Sequence, residues 1–354
     1  MNGKTLRVGI IGFGFAGTTF HAPLIRTTPG MRITAVSSRD AGKVHAALGS
    51  DVKVFGDAQA LIDEAEVDLV VIASPNATHY ALAALALERG RHVVVDKPFT
   101  ATVAEAEDLA RRAQARGVLL SVYHNRRWDS TTRTGQRILA SGMLGALRHA
   151  SMHFDRFRPV PVNRWKEDPE ALGGVWMDLG PHLLDEALLY FGMPEAIQAD
   201  IACLRPGTRA DDVFQVRLRY RDGLRVDLGA SMLGAIARPR LALQGTRGSY
   251  AKQSLDPQEA MLKAGQLPGD PAAWGVDGEA GVAVLERHEG DGQLESVEVP
   301  TENGAYPEYY RQVRDAILGA GPNPVPAEQA IRVMRLLEAG RLSSAQRREI
   351  ALDA

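Results

Sequence analysis

The chain has 354 residues, 41 basic and 43 acidic, for a net charge of −2, with 45% hydrophobic and 24% charged residues. That length exceeds what one hydrophobic core serves, so two domains are expected. The balanced charge leaves no electrostatic footprint for nucleic acid and no polybasic membrane anchor, and Cys203, the single cysteine, excludes an intrachain disulfide and a multi-cysteine metal site.

Met1 to Arg7 lacks the apolar core of a signal peptide, and no apolar run reaches the ~18 residues of a membrane span. A soluble, cytoplasmic protein is the expectation. The first 125 residues alternate short apolar runs with helical patterns, which predicts βαβ units on a doubly wound parallel sheet. The strands are read at Leu6–Ile11, Arg32–Val36, Val67–Ala73, His92–Val95 and Val118–Tyr123. Thr102-Val103-Ala104-Glu105 is a capping box that opens a helix near residue 102, and Gly117 stops it.

After about residue 145 the period changes to two. Phe214, Val216, Leu218 and Tyr220 alternate with polar residues, as do Leu224, Val226 and Leu228, and Arg221-Asp222-Gly223 supplies a turn. This is an antiparallel hairpin with one apolar face. Further strands are expected at Ala146–Phe157, Ala196–Leu204, Arg240–Gln244, Val282–Glu286 and Leu294–Val299, with helices at Pro307–Leu318 and Ala327–Arg341. The segment Ser254–Gly281, rich in Gly, Pro and Asp, reads as a long ordered loop. Residues 1–125 are thus expected to form a Rossmann domain and 126–354 an α+β domain on a large open, mainly antiparallel sheet.

The first strand runs into Gly12-Phe13-Gly14-Phe15-Ala16-Gly17. Glycines there permit a tight turn and close approach of backbone to a pyrophosphate, and the following helix offers N–H donors and the positive end of its dipole. The bland alternative is an ordinary tight βα turn. The second strand ends Ser37-Ser38-Arg39-Asp40. An acidic residue would normally bond the ribose 2′-hydroxyl of NAD(H) at this place. Serine there, with an arginine able to bind phosphate bidentately, favours NADP(H) over NAD(H). The alternative is that Arg39 is solvated and Asp40 takes the ribose.

Three further strings accompany the glycine loop: Ser74-Pro75-Asn76-Ala77-Thr78-His79, Asp96-Lys97-Pro98, and Gly173-Gly174-Val175-Trp176-Met177-Asp178-Leu179-Gly180-Pro181-His182. Together they resemble the glucose–fructose oxidoreductase, inositol dehydrogenase and MocA (Gfo/Idh/MocA) family across essentially the whole chain. Phe20-His21-Ala22-Pro23, Tyr123-His124-Asn125-Arg126-Arg127-Trp128, Arg164-Trp165, Trp274-Gly275 and Tyr309-Tyr310-Arg311 are similar to its NADP-dependent scyllo-inositol dehydrogenase branch. Where the family has Glu-Lys-Pro, this chain carries the shorter Asp96. Pro23 falls inside the first helix, where it disrupts the hydrogen-bond ladder, so a break is expected there.

The resemblance implies a dehydrogenase that interconverts a polyol or sugar alcohol and its ketone, most simply scyllo-inositol and scyllo-inosose. It implies Lys97, Asp178 and His182 as the catalytic set. Histidine suits the base because its unperturbed pKa lies near neutrality, Asp178 and His182 stand four apart on one helical face, and Lys97 would stabilise charge on the substrate oxygen. Singly, Asp178 is also readable as a helix N-cap, His182 as a surface histidine and Lys97 as a strand-end charge. Cofactor contacts are expected from residues 12–17, Ser37, Ser38, Arg39, Ser74, Pro75, Asn76, His79, Asp96, Lys97 and Pro98. Substrate contacts are expected from His124, Asn125, Arg127, Asp155, Arg164, Trp165, Asp178 and His182. No ligand spacing asks for a metal, and the hydride chemistry needs none. A homodimer or homotetramer through the second sheet is expected. The rival readings are a sugar or dihydrodiol dehydrogenase of the same family, and a non-catalytic dinucleotide sensor.

Overall fold

Strands apolar on both faces need cover on both sides, and the first part of the chain supplies it with helices between successive parallel strands. The structure, a computed structural model, describes residues 5–162, 167–270, 273–288, 290 and 292–352. In chain order the elements are β1 (Leu6–Ile11), α1 (Ala22–Arg26), β2 (Met31–Ser37), α2 (Ala41–Leu48), β3 (Lys53–Phe55), α3 (Ala58–Glu64), β4 (Leu69–Ile72), α4 (His79–Glu88), β5 (His92–Val95), α5 (Val103–Arg116) and β6 (Leu120–Val122). The strands pair in parallel in the order β3-β2-β1-β4-β5-β6. The order reverses between β1 and β4, the switch point outside which such sheets bind ligands. Val70, Val71, Ile72, Val93, Val94 and Val95 are all fully buried, each side chain contributing roughly 1.5–3 kcal/mol.

The remaining elements are α6 (Ser130–Ser141), β7 (Leu147–Asp155), α7 (Val175–Phe191), β8 (Ala196–Ala202), β9 (Val213–Arg219), β10 (Arg225–Ser231), β11 (Leu241–Gly245), β12 (Gly248–Lys252), α8 (Gln258–Lys263), β13 (Gly281–Glu286), β14 (Leu294–Val299), α9 (Pro307–Ile317), α10 (Ala327–Gln346) and β15 (Ile350–Ala351). Nine strands form the second sheet in the order β14-β13-β12-β11-β7-β10-β9-β8-β15. Its pairs are antiparallel except β7 with β10, so the sheet is mixed and mainly antiparallel. The hairpin of β9 and β10 sets Arg217 opposite Asp227, joined by two hydrogen bonds of 2.7 and 2.9 Å. The opposite face of the hairpin, Phe214, Val216, Leu218, Val226 and Leu228, is buried, and α7 packs against β7, β9 and β10.

The chain divides into two compact units. One holds Met1–Asn125 with Gln258–Trp274 and Ala305–Met334; the other holds Arg126–Pro257, Gly275–Gly304 and Arg335–Ala354. The segment expected as one long loop from Ser254 to Gly281 contains α8, a helix of 6 residues that its flanking Gly and Pro residues conceal. The capping box forms, with the Glu105 N–H donating to Thr102 Oγ1 at 3.2 Å and Glu105 accepting the Thr102 N–H in return. Among the described residues no helix is long and apolar enough to cross a membrane.

Candidate functional site

In the first unit the glycine loop links β1 to a helical stretch that begins at Phe15. Gly12 has φ +92°, and a Cβ on it would lie 2.7 Å from the Ala73 carbonyl oxygen. A Cβ on Gly17 would lie 2.2 Å from the carbonyl oxygen of Gly12. Those two glycines are therefore demanded by the turn itself. Gly14 differs, because a Cβ there would meet nothing within 4 Å. Its bareness leaves open space at the start of a helix, which fits the close approach of a phosphate to backbone N–H groups.

The expected break at Pro23 does not occur. Gly17–His21 form one turn of π-helix, with the Ala22 N–H reaching back to Gly17, and Pro23 then stands in the first turn of α1. Widening the coil by one residue accommodates the missing N–H without a break. Residues far along the chain return to this turn. The α8 helix packs on Gly17–His21, and Lys263 Nζ sits 5.6 Å over the ring of Phe15, itself 53% exposed.

At the end of β2, Ser37 is buried and Arg39 exposed. Asp40 caps α2, its Oδ1 accepting the Lys43 N–H at 2.8 Å, while its own N–H donates to Ser38 Oγ at 3.1 Å. Capping takes up Oδ1 of the carboxylate that the alternative reading would give to a ribose. Lys43, one turn into α2, donates from Nζ to the Phe13 carbonyl at 3.0 Å. This second cation joins the strand-two end to the glycine loop. The sequence reading missed it, although Arg39 and Lys43 stand four apart.

Behind β4, Ser74 Oγ and Thr78 Oγ1 lie 2.6 Å apart over the short 3-10 turn Asn76–Thr78. His79 is buried, with Nδ1 2.8 Å from the Pro98 carbonyl and Nε2 3.0 Å from the Ser74 carbonyl. Burial pulls its pKa below the ordinary value, outweighing the charge of Asp96. His79 thus ties together the loops after β4 and β5. Asp96 ends β5, and its Oδ1 accepts the Lys97 N–H at 2.7 Å. Burial alone would raise the Asp96 carboxyl, but His21, then Lys97 and His79, hold it below the ordinary carboxylate value. His124 and Asn125 close this unit and are buried.

In the second unit Asp178 and His182 lie in the first two turns of α7, with His182 6% exposed. The N-cap reading of Asp178 is excluded, because its N–H donates to Gly174 inside the helix at 3.0 Å. Capping falls instead to Asp211, whose Oδ1 accepts the Trp176 N–H at 2.6 Å and whose carbonyl accepts the Val175 N–H at 2.9 Å. Burial raises the Asp211 carboxyl above its ordinary value despite that bond. Asp185, three residues beyond His182, binds Arg127 through two hydrogen bonds of 2.8 and 2.6 Å. Next along, Glu186 accepts from Thr132 at 2.9 Å and pairs with the buried Arg240. Asp155 is committed to Arg238, which donates from Nε at 2.8 Å and Nη2 at 2.7 Å. Arg164 and Trp165 lie outside the described residues.

Two family models match the chain: an oxidoreductase family NAD-binding Rossmann fold over residues 6–124, and the C-terminal α/β domain of the same family over residues 136–352. The chain is 47% identical to an uncharacterized oxidoreductase of Escherichia coli, covering 98% of this chain and 99% of that one. It is 34% identical to a scyllo-inositol 2-dehydrogenase (NADP(+)) of Bacillus subtilis, covering 99% and 96%. A solved oxidoreductase structure from Yersinia pestis superposes with a TM-score of 0.94 at 46% identity, covering 100% of this chain and 99% of that one.

Proposed function

The chain belongs to the Gfo/Idh/MocA oxidoreductase family, and from that premise we propose that it is an NADP(H)-dependent dehydrogenase interconverting a cyclic polyol and its ketone, scyllo-inositol and scyllo-inosose above all. The observation that carries the cofactor reading is the pairing of a bare Gly14 with a strand-two end bearing Ser38, Arg39 and Lys43 while Asp40 is held in a helix cap. The glycine loop would hold the pyrophosphate, and Ser37, Ser38, Arg39 and Lys43 the 2′-phosphate. Ser74, Pro75, Asn76, Asp96 and Pro98 would flank the nicotinamide riboside, with His79 fixing their loops.

NADP(H), when bound, supplies or accepts the hydride. His182 takes the hydroxyl proton in oxidation and returns it in reduction. The Lys97 ammonium stabilises negative charge on the substrate oxygen. Asp178 accepts hydrogen bonds from ring hydroxyls, and His124 and Asn125 add further polar partners, while Arg127 is engaged by Asp185. Groups that bond hydroxyls reject analogues that lack them, because the groups are then left unpaired. The substrate reading leans on the Bacillus subtilis relative's printed activity. We also infer assembly through the outer face of the second sheet, which shows His149, Gln215, Arg217 and Asp227; light scattering that finds only monomer at micromolar concentration contradicts it.

The test is a steady-state panel of scyllo-inosose, both inositols and several aldoses with NADPH and NADH. Scyllo-inosose with NADPH should be preferred, and Lys97→Ala and His182→Ala should each lower turnover about a hundredfold. A clear aldose preference refutes the substrate; dinucleotide binding with no turnover of any member favours the sensor.

A further inference from the structure

Two strings singled out in the sequence, Phe20-His21-Ala22-Pro23 and Tyr309-Tyr310-Arg311, meet inside the first unit, beneath the end of β5. His21 is fully buried at the end of the π-helical turn. Its Nδ1 lies 2.6 Å from Tyr310 Oη, and its Nε2 lies 3.5 Å from Asp96 Oδ2. The ring lies 4.4 Å from that of Tyr123, tilted by 48°, and Tyr123 meets Tyr309 edge-on at 4.9 Å. Tyr309 in turn donates to Ser121 Oγ at 2.9 Å. Imidazole, phenols and carboxylate thus share one close-packed buried nest.

The directions of the hydrogen bonds follow from the partners. With Nε2 turned to the Asp96 carboxylate, which can only accept, the proton belongs on Nε2 and the Tyr310 hydroxyl donates to Nδ1. A ring that accepts at Nδ1 carries its proton on Nε2, on the side of Asp96. The other Asp96 oxygen accepts the backbone N–H of Lys97. His21 is thus hydrogen-bonded to Tyr310 through Nδ1 and faces Asp96 Oδ2 through Nε2 across a 3.5 Å ion-pair contact, and the carboxylate grips the residue from which the Lys97 side chain departs.

We propose that His21 is a positioning residue, which with Tyr310 orients the Asp96 carboxylate and through it sets the backbone of Lys97 at the strand end. Outer partners of this kind hold a functional group in productive geometry, and misplacing a reacting group costs rate far more than binding.

The proposal rests on the role given above to Lys97, and the experiment separates the two. His21→Phe removes both hydrogen-bond functions, His21→Asn keeps a polar atom near Nδ1 only, and His21→Gln restores a donor at the reach of Nε2. Turnover should fall about tenfold or more in the Phe and Asn variants and recover in the Gln variant. The dissociation constant for NADPH, read by titration without substrate, should change less than turnover does, because the glycine loop and the strand-two end are untouched and only the Asp96 contact is disturbed. Nitrogen-15 NMR of the unmodified protein should show the Nε2-protonated tautomer of His21, lost or mixed in Tyr310→Phe. Normal turnover in His21→Phe, a Gln variant as slow as the Phe variant, or an Nδ1-protonated ring in the unmodified protein each overturns the proposal. Normal turnover in Lys97→Ala instead overturns the reading on which it rests.

Discussion

Gly174→Ala is the substitution whose cost the structure defines most closely. Gly174 precedes α7 at φ 109°, ψ 158°, a region that is essentially restricted to glycine and costs other residues on the order of 1–3 kcal/mol. The new Cβ would also stand 2.2 Å from Asp211 Oδ2, the carboxylate group that caps the helix through the Trp176 N–H. Moving that carboxylate away forfeits a cap worth about 1 kcal/mol. The sum is about 2–4 kcal/mol, or a melting point for this unit lower by about 6–12 °C. Asp211→Ala alone should cost about 1 kcal/mol, since it loses the cap but also removes a buried carboxylate. In the double variant the collision disappears, so the combined loss should fall short of the sum by about 1 kcal/mol. Calorimetry of the four proteins in the cycle measures each term. Turnover should fall with stability in Gly174→Ala, because Asp178 and His182 occupy the two turns that the cap organises. Melting of Gly174→Ala within about 2 °C of the unmodified protein, or strict additivity in the double variant, refutes the reasoning.

Gly14→Ala should leave the melting point of the cofactor-free protein within about 1 °C while weakening NADPH binding about tenfold or more, since the Cβ meets no protein atom within 4 Å; calorimetric melting and titration check the two halves. Lys43→Met should weaken NADPH binding about tenfold more than NADH binding, because both lose the tie to the Phe13 carbonyl but only the 2′-phosphate loses a charged partner, and equal losses for both cofactors refute that. Asp155 has its carboxyl held below 3.8, burial tending to raise it and Arg238 more than offsetting that. A depressed folded-state pKa contributes stability present above 3.8 and lost as pH falls through the folded value. Thermal melts of Asp155→Asn should therefore depend less steeply on pH below about 4 than those of the unmodified protein.

Much of this architecture is legible locally. Leu6–Ile11, His92–Val95 and Leu294–Val299 are found as strands at the expected bounds; the first two are dominated by apolar residues that read as buried strands. The turn at Arg221-Asp222-Gly223 forms with Gly223 at φ +92°, as its residue types require. What escaped was short or non-local. β3 spans three residues, Lys53–Phe55, too few to display a period, and β12 (Gly248–Lys252) follows a glycine-bearing turn that hides it. Residues 258–274 and 305–334 fold with the first unit, a return that no local pattern signals. In the candidate site the glycine loop and the four-residue spacing of Asp178 and His182 were readable. The caps were not, since Asp211 stands 35 residues from the Trp176 it serves. Nor was the engagement of Arg127 by Asp185 or of Asp155 by Arg238, because a charged side chain's partner is chosen by the fold.

Under the proposed function a hydride passes between bound NADP(H) and a ring carbon of a polyol, with His182 handling the proton. Reduction of scyllo-inosose with NADPH deuterated at the transferable nicotinamide position tests it most directly, read by mass spectrometry of the product. The account predicts one deuterium retained on the carbinol carbon of scyllo-inositol, and a rate lowered about a hundredfold or more in His182→Ala. Product without deuterium, or full turnover in the His182→Ala protein, contradicts it.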